Sequence, residues 1–216
     1  MRKAFGVFKM GTLMDYMDAH ALLGRYGIKA LDAAYVESAK EAVGFAKGRT
    51  IVMKLISDKA LHKSKSGLVK LSLSGDAKIE GAYSELVKLG EKLKPYKILV
   101  QEQVSNGTEI IIGGNTDPQF GKLILLGLGG IYVEVFKDVS VRLCPITEYD
   151  ANAMIESLKS KQIMLADERN GKIVKNLLLK ISEFLVKNQK ITELDLNPII
   201  LHDGTYDAVD LRLIEG

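Results

Sequence analysis

The segment ITELDLNPIIL, residues 191–201, alternates apolar with polar side chains, and the segment YDAVDLRLI, residues 206–214, alternates in the same way. Alternation with a period of two is typical of β-strands that bury one face. Between the segments lies Asp203-Gly204, a dipeptide that favours the tight turn of a β-hairpin. The sequence therefore predicts two antiparallel strands that close the chain.

The register of this hairpin brings polar side chains together. In the register that the turn imposes, Asn197 lies opposite Asp210. In the same register Asp195 lies opposite Arg212, and alternation adds Glu193 to the face that they share. Such a face is costly to bury without a ligand, and its oxygen atoms suit Mg²⁺ held between a protein and nucleotide phosphates. The solvated outer face of an antiparallel sheet shows the same alternation, so the hairpin alone leaves both interpretations equally open.

The composition narrows the class of protein. With 216 residues, of which 47% are hydrophobic and 26% charged, the chain can form one large domain or two small ones. The net charge is only +3, lysines are mixed with acids and Trp is absent, so we expect no nucleic-acid partner. Cys144 is the only cysteine, which favours a reducing, cytoplasmic setting. We find no signal-peptide pattern and no apolar run of membrane-spanning length, so no membrane partner is expected.

Periodicity and capping signals predict an α+β protein of two lobes. In the first lobe, residues 1–96, we expect helices at 12–24, 38–47 and 77–93 and strands at 28–35, 50–56 and 68–73. In the second lobe, residues 97–216, we expect strands at 98–104, 109–113, 122–127, 131–136 and 140–144, helices at 148–160 and 172–187, and the closing hairpin. A cleft between two lobes is the usual place for a nucleotide.

The first lobe carries two candidate groups. Lys54 lies inside the apolar run IVMKLI, where a buried ammonium needs an anion such as a nucleotide phosphate. A strand-edge lysine whose head reaches water is the alternative. His62 lies in the loop LHKSKSG, residues 61–67, and its imidazole is basic enough near neutral pH to accept a phosphoryl group. Taken alone, the composition of this loop favours a mobile basic surface loop.

The lobe boundary offers further candidates. Gln101, Glu102 and Val104 end a strand there, where backbone groups can meet adenine. Glu109 can accept hydrogen bonds from ribose hydroxyls, although an exposed glutamate usually marks only a solvated face. The glycine-rich segment GLGG, residues 127–130, suggests a phosphate cradle, but no helix start follows it. We therefore interpret it as a tight hairpin turn.

Six stretches taken together resemble one known family. They are VMK (52–54), HKS (62–64), EIIIG (109–113), DPQFG (117–121), GLGGIYVEVFKDVS (127–140) and LDLNP (194–198). In order and spacing, over nearly the whole chain, they are similar to the ATP-grasp β subunit of the ADP-forming acetyl-CoA synthetases. The resemblance implies an ATP-grasp fold, in which two α+β lobes hold the nucleotide between them.

The resemblance also implies an activity and partners. The family converts acyl-CoA, ADP and phosphate to an organic acid, CoA and ATP. A CoA-binding α subunit, in an α₂β₂ assembly, handles acyl-CoA and phosphate, and the β subunit binds ATP or ADP with Mg²⁺. The implied enzyme is an ADP-forming acid–CoA ligase, of which this chain would be the ATP-grasp subunit.

The resemblance implies a catalytic group within the candidates. His62 matches the histidine that takes the phosphoryl group and delivers it to ADP, and Asp195 matches an acid near that phosphohistidine. Arg212 is assigned to the same side of the site. The loop departs from the family pattern, because Lys65 replaces an acid and Ser66-Gly67 replaces a glycine pair.

Two further groups follow from the resemblance. The nucleotide-binding group is Lys54 for the phosphates, Gln101, Glu102 and Val104 for adenine, and Glu109 for the ribose. The metal group is Asn197 and Asp210, which match magnesium ligands of the related succinyl-CoA synthetase β subunits. Glu193 receives no role, and Arg169 is only a partial match to a family arginine.

Two alternatives remain at this point. The chain can be a β subunit of the succinyl-CoA synthetase type, although its length and the His62 loop argue against this. It can also be a regulatory subunit that binds ATP without catalysis, against which the set of candidate residues argues. The sequence does not specify the acyl substrate, the choice between ADP and GDP, or the oligomeric state without the α chain.

Overall fold

The computed structural model describes residues 11–57, 59, 67–104, 106–129 and 138–216. Helices and antiparallel strands share these residues, so the predicted α+β class is confirmed. The chain divides into two compact units. The smaller unit lies within Leu31–Ser105, and the larger unit comprises the described residues of Met1–Ala30 and Asn106–Gly216.

The described residues form seventeen helices and strands and one 3₁₀ turn, named here in chain order. The first eight are β1 (Thr12–Leu13), α1 (Tyr16–Gly24), β2 (Ala33–Val36), α2 (Ala39–Ala46), β3 (Ile51–Ile56), β4 (Val69–Leu73), α3 (Asp76–Gly90) and β5 (Lys97–Glu102), with a 3₁₀ turn at Glu91–Leu93. The others are β6 (Thr108–Asp117), β7 (Gly121–Leu128), β8 (Val139–Leu143), α4 (Glu148–Ser157), α5 (Lys161–Met164), α6 (Glu168–Lys187), β9 (Ile191–His202), β10 (Thr205–Ala208) and β11 (Leu211–Glu215).

The smaller unit is an antiparallel sheet in the order β2-β5-β3-β4, with α2 and α3 on one face. Alternate residues of β3, among them Ile51 and Met53, are fully buried in a core shared with the apolar residues of both helices. Helix α2 begins as the sequence predicts. The Ser38 hydroxyl accepts from the Glu41 amide at 3.2 Å, which satisfies an amide that has no partner within the helix.

The larger unit is an antiparallel sheet in the order β1-β11-β9-β6-β7-β8, with β10 also paired to β9. Helix α6 lies against this sheet with its apolar side buried, including Leu177, Ile181 and Leu185. A Cβ atom on Gly114 of β6 would lie 2.7 Å from the Leu185 side chain, so glycine is what allows this close approach. No helix among the described residues is long and apolar enough to cross a membrane.

Several predicted element bounds shift. The helix expected at 12–24 begins at Tyr16, because the Asp15 carboxylate caps it by accepting from the Met17 amide at 2.9 Å. The strand expected at 28–35 is only Ala33–Val36. The residues before it lie against β10 instead, and the Ala208 amide donates to the Lys29 carbonyl at 3.1 Å.

The division of the chain differs from the predicted lobes 1–96 and 97–216. The N-terminal residues join the larger unit, because Thr12 and Leu13 pair with Glu215 and Ile214 at the edge of its sheet. Strand β5 belongs to the smaller unit, because it pairs with both β2 and β3. The chain therefore passes between the units twice, at residues 30–31 and 105–106.

Candidate functional site

The closing hairpin has the register that its turn predicts. Asp203 and Gly204 have φ values of 46° and 74°, the left-handed conformation that tight hairpin turns need. Strands β9 and β11 pair Asp195 with Arg212. Asn197 and Asp210 also lie opposite one another, since the Asn197 amide donates to the Asp210 carbonyl at 3.2 Å.

The two faces of this hairpin differ in chemistry. Leu194, Leu196 and Leu213 are buried, whereas Asp195 and Arg212 lie on the alternate face and are only partly buried. On its other side Asp195 pairs with Gly113 of β6, which has no side chain to cover the carboxylate. The hairpin thus presents a carboxylate and a guanidinium beside a glycine, on a rigid strand.

Asp195 lies in an environment that opposes its charge. Burial raises its pKa to about 6, and the carboxylates of Glu193 and Asp210 add to the effect, while Arg212 opposes it. Its Oδ1 atom and Nε of Arg212 are buried without a hydrogen-bond partner in the part of the chain that the structure describes. The guanidinium instead has Nη1 3.5 Å from Oε1 of Glu193. Buried polar atoms without partners are unfavourable, which makes this position a candidate for ligand binding.

The predicted metal pair lies beside this carboxylate. Two residues of β9, Asn197 and Pro198, oppose Ile111 alone on β6, which is a β-bulge. Bulges often re-aim side chains next to active sites. Asn197 is exposed and Asp210 is half-buried. Among the described residues, no three His, Cys, Asp or Glu side chains form a metal-binding group. Two oxygen donors fit an ion that takes most of its ligands from phosphates and water, as Mg²⁺ does.

In the smaller unit, the structure places Lys54 and Gln101 on the same face. Val52 pairs with Gln101 and Lys54 pairs with Leu99, so all four side chains point away from the α2 and α3 core. The Gln101 side chain is fully buried, and Lys54 is half-buried. A cation and an amide therefore share the face of this sheet that lies opposite the α2 and α3 core.

Glu102 and Val104 are placed differently. The Glu102 carboxylate pairs with Arg49, with Oε2 2.8 Å from Nη1, and its amide donates to the Asp32 carbonyl at 3.4 Å. Glu102 pairs with Ile51, a core residue, so its side chain is on the opposite face from Gln101. Val104 follows the end of β5 and is half-buried.

Glu109 is an exposed residue of β6, and a glycine contacts its main chain. The Gly129 amide donates to the Glu109 carbonyl at 2.7 Å, and a Cβ on Gly129 would lie 2.8 Å from Cβ of Glu109. Gly127 lies within β7, so the interpretation of this segment as a hairpin turn is wrong for that residue. Gly127 and Gly129 allow neighbouring strands to approach closely. A Cβ on Gly127, for example, would lie 3.0 Å from the Val139 side chain.

His62, Lys65 and Ser66 lie outside the described residues, as does the strand predicted at 131–136. Gly67, where the described chain resumes, has φ of 89°, a conformation that favours glycine. Arg169 pairs with Asp167 at the start of α6, with Nη2 2.5 Å from Oδ2, and this bond holds the pKa of Asp167 down at about 2.

Sequence reasoning missed one buried charged cluster. Asp207 is 4% exposed, and its two oxygens lie 3.0 Å from Nζ of Lys29 and 2.7 Å from Nε2 of His202. The cluster ties the chain before β2 to the β9–β10 hairpin. Asp207, an acid within a strand segment, was the one sequence signal of this cluster. Its partner Lys29 is too distant in sequence to be inferred.

Comparison with known proteins identifies the family to which this chain belongs. The sequence model of the ATP-grasp domain family matches residues 9–214 of this chain. The β subunit of acetate–CoA ligase (ADP-forming) I from Pyrococcus furiosus is 35% identical over 208 residues, which are 91% of this chain and 89% of the relative. The ADP-forming acetate–CoA ligase I of Archaeoglobus fulgidus is 36% identical over 205 residues, which are 90% of this chain but 30% of that longer protein.

A solved structure gives the same assignment. Acetyl-coenzyme A synthetase 1 of Ca. Korarchaeum cryptofilum, in complex with coenzyme A and Mg-AMPPCP and with its phosphohistidine segment pointing towards the nucleotide binding site, is 34% identical with a TM-score of 0.80. The match covers 94% of this chain and 93% of that chain. The chain therefore belongs to the ATP-grasp domain family, among the ADP-forming acetate–CoA ligases. The predicted fold and the predicted resemblance are confirmed. The matched region spans 89% of the Pyrococcus β subunit and 30% of the longer Archaeoglobus ligase.

Proposed function

We propose that this chain is the nucleotide-binding β subunit of an ADP-forming acyl-CoA synthetase, in which His62 takes a phosphoryl group and passes it to ADP. The observation that carries the proposal is the Asp195–Arg212 pair, in register on the hairpin and with buried polar atoms that have no partner among the described residues. A carboxylate can orient an imidazole, and a guanidinium can bind a phosphoryl group. The family membership supplies the reaction in which both are needed.

The smaller unit would bind the nucleotide through the sheet face opposite its α2 and α3 core. Lys54 offers a positive charge to the phosphates, and the strand end from Gln101 to Val104 offers backbone groups to adenine. Glu102 would contribute through its main chain, since its carboxylate is paired with Arg49. Glu109 of the larger unit is exposed and would accept hydrogen bonds from ribose hydroxyls.

Asn197 and Asp210 would hold Mg²⁺ together with the nucleotide phosphates. Oxygen donors at a strand bulge fit that ion, which takes most of its ligands from phosphates and water. When bound, Mg²⁺ neutralises charge that develops on the phosphates. The chain itself supplies rigid placement, because both residues lie on the hairpin whose backbone bond joins them.

During phosphoryl transfer, the imidazole of His62 would donate a hydrogen bond to the carboxylate of Asp195. The imidazole nitrogen that bonds to phosphorus must be unprotonated, and a carboxylate that accepts from the other ring nitrogen favours that tautomer. The phosphorus–nitrogen bond then breaks as an oxygen of ADP takes the phosphoryl group. The positive charge of Arg212 stabilises the phosphoryl oxygens during both steps.

The relatives named as β subunits imply a separate α chain as partner. We propose that this partner binds CoA, acyl-CoA and phosphate, in an α₂β₂ assembly in the cytoplasm. The acyl substrate would then be chosen by the α chain.

Reconstitution tests the proposed function. The chain is combined with a candidate CoA-binding α chain, and ATP formation from acyl-CoA, ADP and phosphate is measured for several acyl groups. His62→Ala should abolish ATP formation while nucleotide binding survives. His20→Gln, a change of the same residue type on α1, should retain activity. Full activity of His62→Ala would refute the relay.

A further inference from the structure

Glu193 is the acid of the hairpin face to which the proposed function gives no role. It precedes Asp195 by two residues on β9, and its Oε1 atom is 3.5 Å from Nη1 of Arg212 on β11. The strand partner of Arg212 is Asp195, while Glu193 pairs with Ile214. Arg212 is thus paired with the diagonal carboxylate and not with the carboxylate directly opposite it.

This arrangement leaves two polar atoms unmatched. Oδ1 of Asp195 and Nε of Arg212 are buried, and neither finds a hydrogen-bond partner within the described ranges of the chain. Buried polar atoms without partners are unfavourable. A direct pair between Asp195 and Arg212 would satisfy them better if Glu193 did not attract the guanidinium. The ion pair that the structure shows for Arg212 is instead with Glu193.

The Glu193–Arg212 pair is also easy to break. The two side chains are 39% and 28% exposed, and 3.5 Å is longer than a strong charge-assisted hydrogen bond. Exposed ion pairs are weak because water screens them. A phosphoryl group carries more charge than a carboxylate and matches the planar guanidinium with two oxygens. Such a group can replace Glu193 as the partner of Arg212.

We propose that Glu193 is the resting counter-ion of Arg212, holding the guanidinium away from Asp195 until a phosphoryl group takes its place. The inference rests on the proposed function, in which that group arrives on His62. Arg212 then binds phosphoryl oxygens, and Asp195 remains available to the imidazole. Glu193 is a positioning residue, because it acts through Arg212 and touches no reacting atom.

Inorganic phosphate is the probe for this exchange, because it needs neither His62 nor a nucleotide. Phosphate is added to the metal-free chain, and the Nε–H resonance of Arg212, assigned by its loss in Arg212→Gln, is followed by NMR. Glu193→Gln removes the competing charge with little change of size. It should tighten phosphate binding about three- to fivefold, which is the contribution of one exposed ion pair. A purely structural role for Glu193 would give weaker binding.

Glu183→Gln is the matched control. It breaks another exposed pair of the larger unit, with Lys187 at 2.6 Å on α6, and should leave phosphate affinity unchanged. Binding to Glu193→Gln that is equal to or weaker than wild-type binding, or no binding to any variant, would overturn the inference. The proposed function can fail independently of this inference. If Glu193→Gln binds phosphate more tightly but the chain is never phosphorylated on His62, the counter-ion role is supported and the proposed function is refuted.

Discussion

Asp195 and Arg212 face one another across β9 and β11, yet the guanidinium pairs with Glu193 and a buried oxygen of Asp195 has no partner among the described residues. The arrangement leaves an unmatched carboxylate beside the predicted metal pair, at the position where we propose that it orients His62.

Asp195 should lower the stability of the free chain at neutral pH. Its pKa is raised to about 6 in the folded chain, while an aspartate in an unfolded chain titrates near about 3.9. Between about pH 4 and pH 6 the folded chain binds more protons than the unfolded chain, so stability falls as the pH rises through this window.

Asp195→Asn should therefore raise the free energy of unfolding by roughly 2–3 kcal/mol near pH 7.5 and by much less near pH 4. Denaturant titrations without divalent metal at the two pH values measure the difference. Asp32→Asn, at an exposed position of the smaller unit, is the control for loss of one aspartate. A loss of stability near pH 7.5 would show that the Asp195 charge is well satisfied.

The two acids beside Asp195 should differ in their effect on nucleotide binding. Asp210 is the predicted metal ligand, and Glu193 is the partner of Arg212. Asp210→Ala should weaken binding of the magnesium–nucleotide complex by roughly tenfold or more, and Glu193→Ala should weaken it much less. Calorimetric titration with and without Mg²⁺ measures both. Equal losses would count against this division of roles.

Gly129 should be required for the placement of Glu109. An added Cβ would lie 2.8 Å from Cβ of Glu109 and 3.0 Å from its carbonyl carbon, so one strand must shift. Gly129→Ala should weaken nucleotide binding roughly tenfold, the effect of losing one good hydrogen bond. Gly81→Ala on α3 meets no atom within 4 Å and should leave binding intact while stabilising the helix by about 0.5–1 kcal/mol. Unchanged nucleotide binding by Gly129→Ala would contradict the proposed contact between Glu109 and the ribose.

Local signals in the sequence predicted the hairpin and most strands. The Asp203-Gly204 turn and the alternating side chains specify the register of Asp195 with Arg212, because a slip of one residue would expose Leu194 and Leu196. The Ser38 cap likewise marked the start of α2. Patterns of this kind depend only on neighbouring residues.

Non-local partners were beyond the reach of such signals. Nothing around Thr12 indicates that it pairs with Glu215, so the predicted lobes differ from the two compact units at these residues. The side-chain pairing of Arg212 with Glu193 and of Glu102 with Arg49 depends on tertiary placement of rotamers. Alternation identified the polar face, but it could not identify which charges would remain unmatched.

Phosphorylation of His62 is the most direct test of the central claim. The chain is incubated with Mg²⁺ and ATP labelled in the γ-phosphate, digested under alkaline conditions that preserve phosphohistidine, and the label is located by mass spectrometry. The account predicts label on the peptide that contains His62, its absence in His62→Ala and its retention in His20→Gln. Label that persists in His62→Ala, or a wild-type chain that binds the nucleotide and acquires no label, would contradict it.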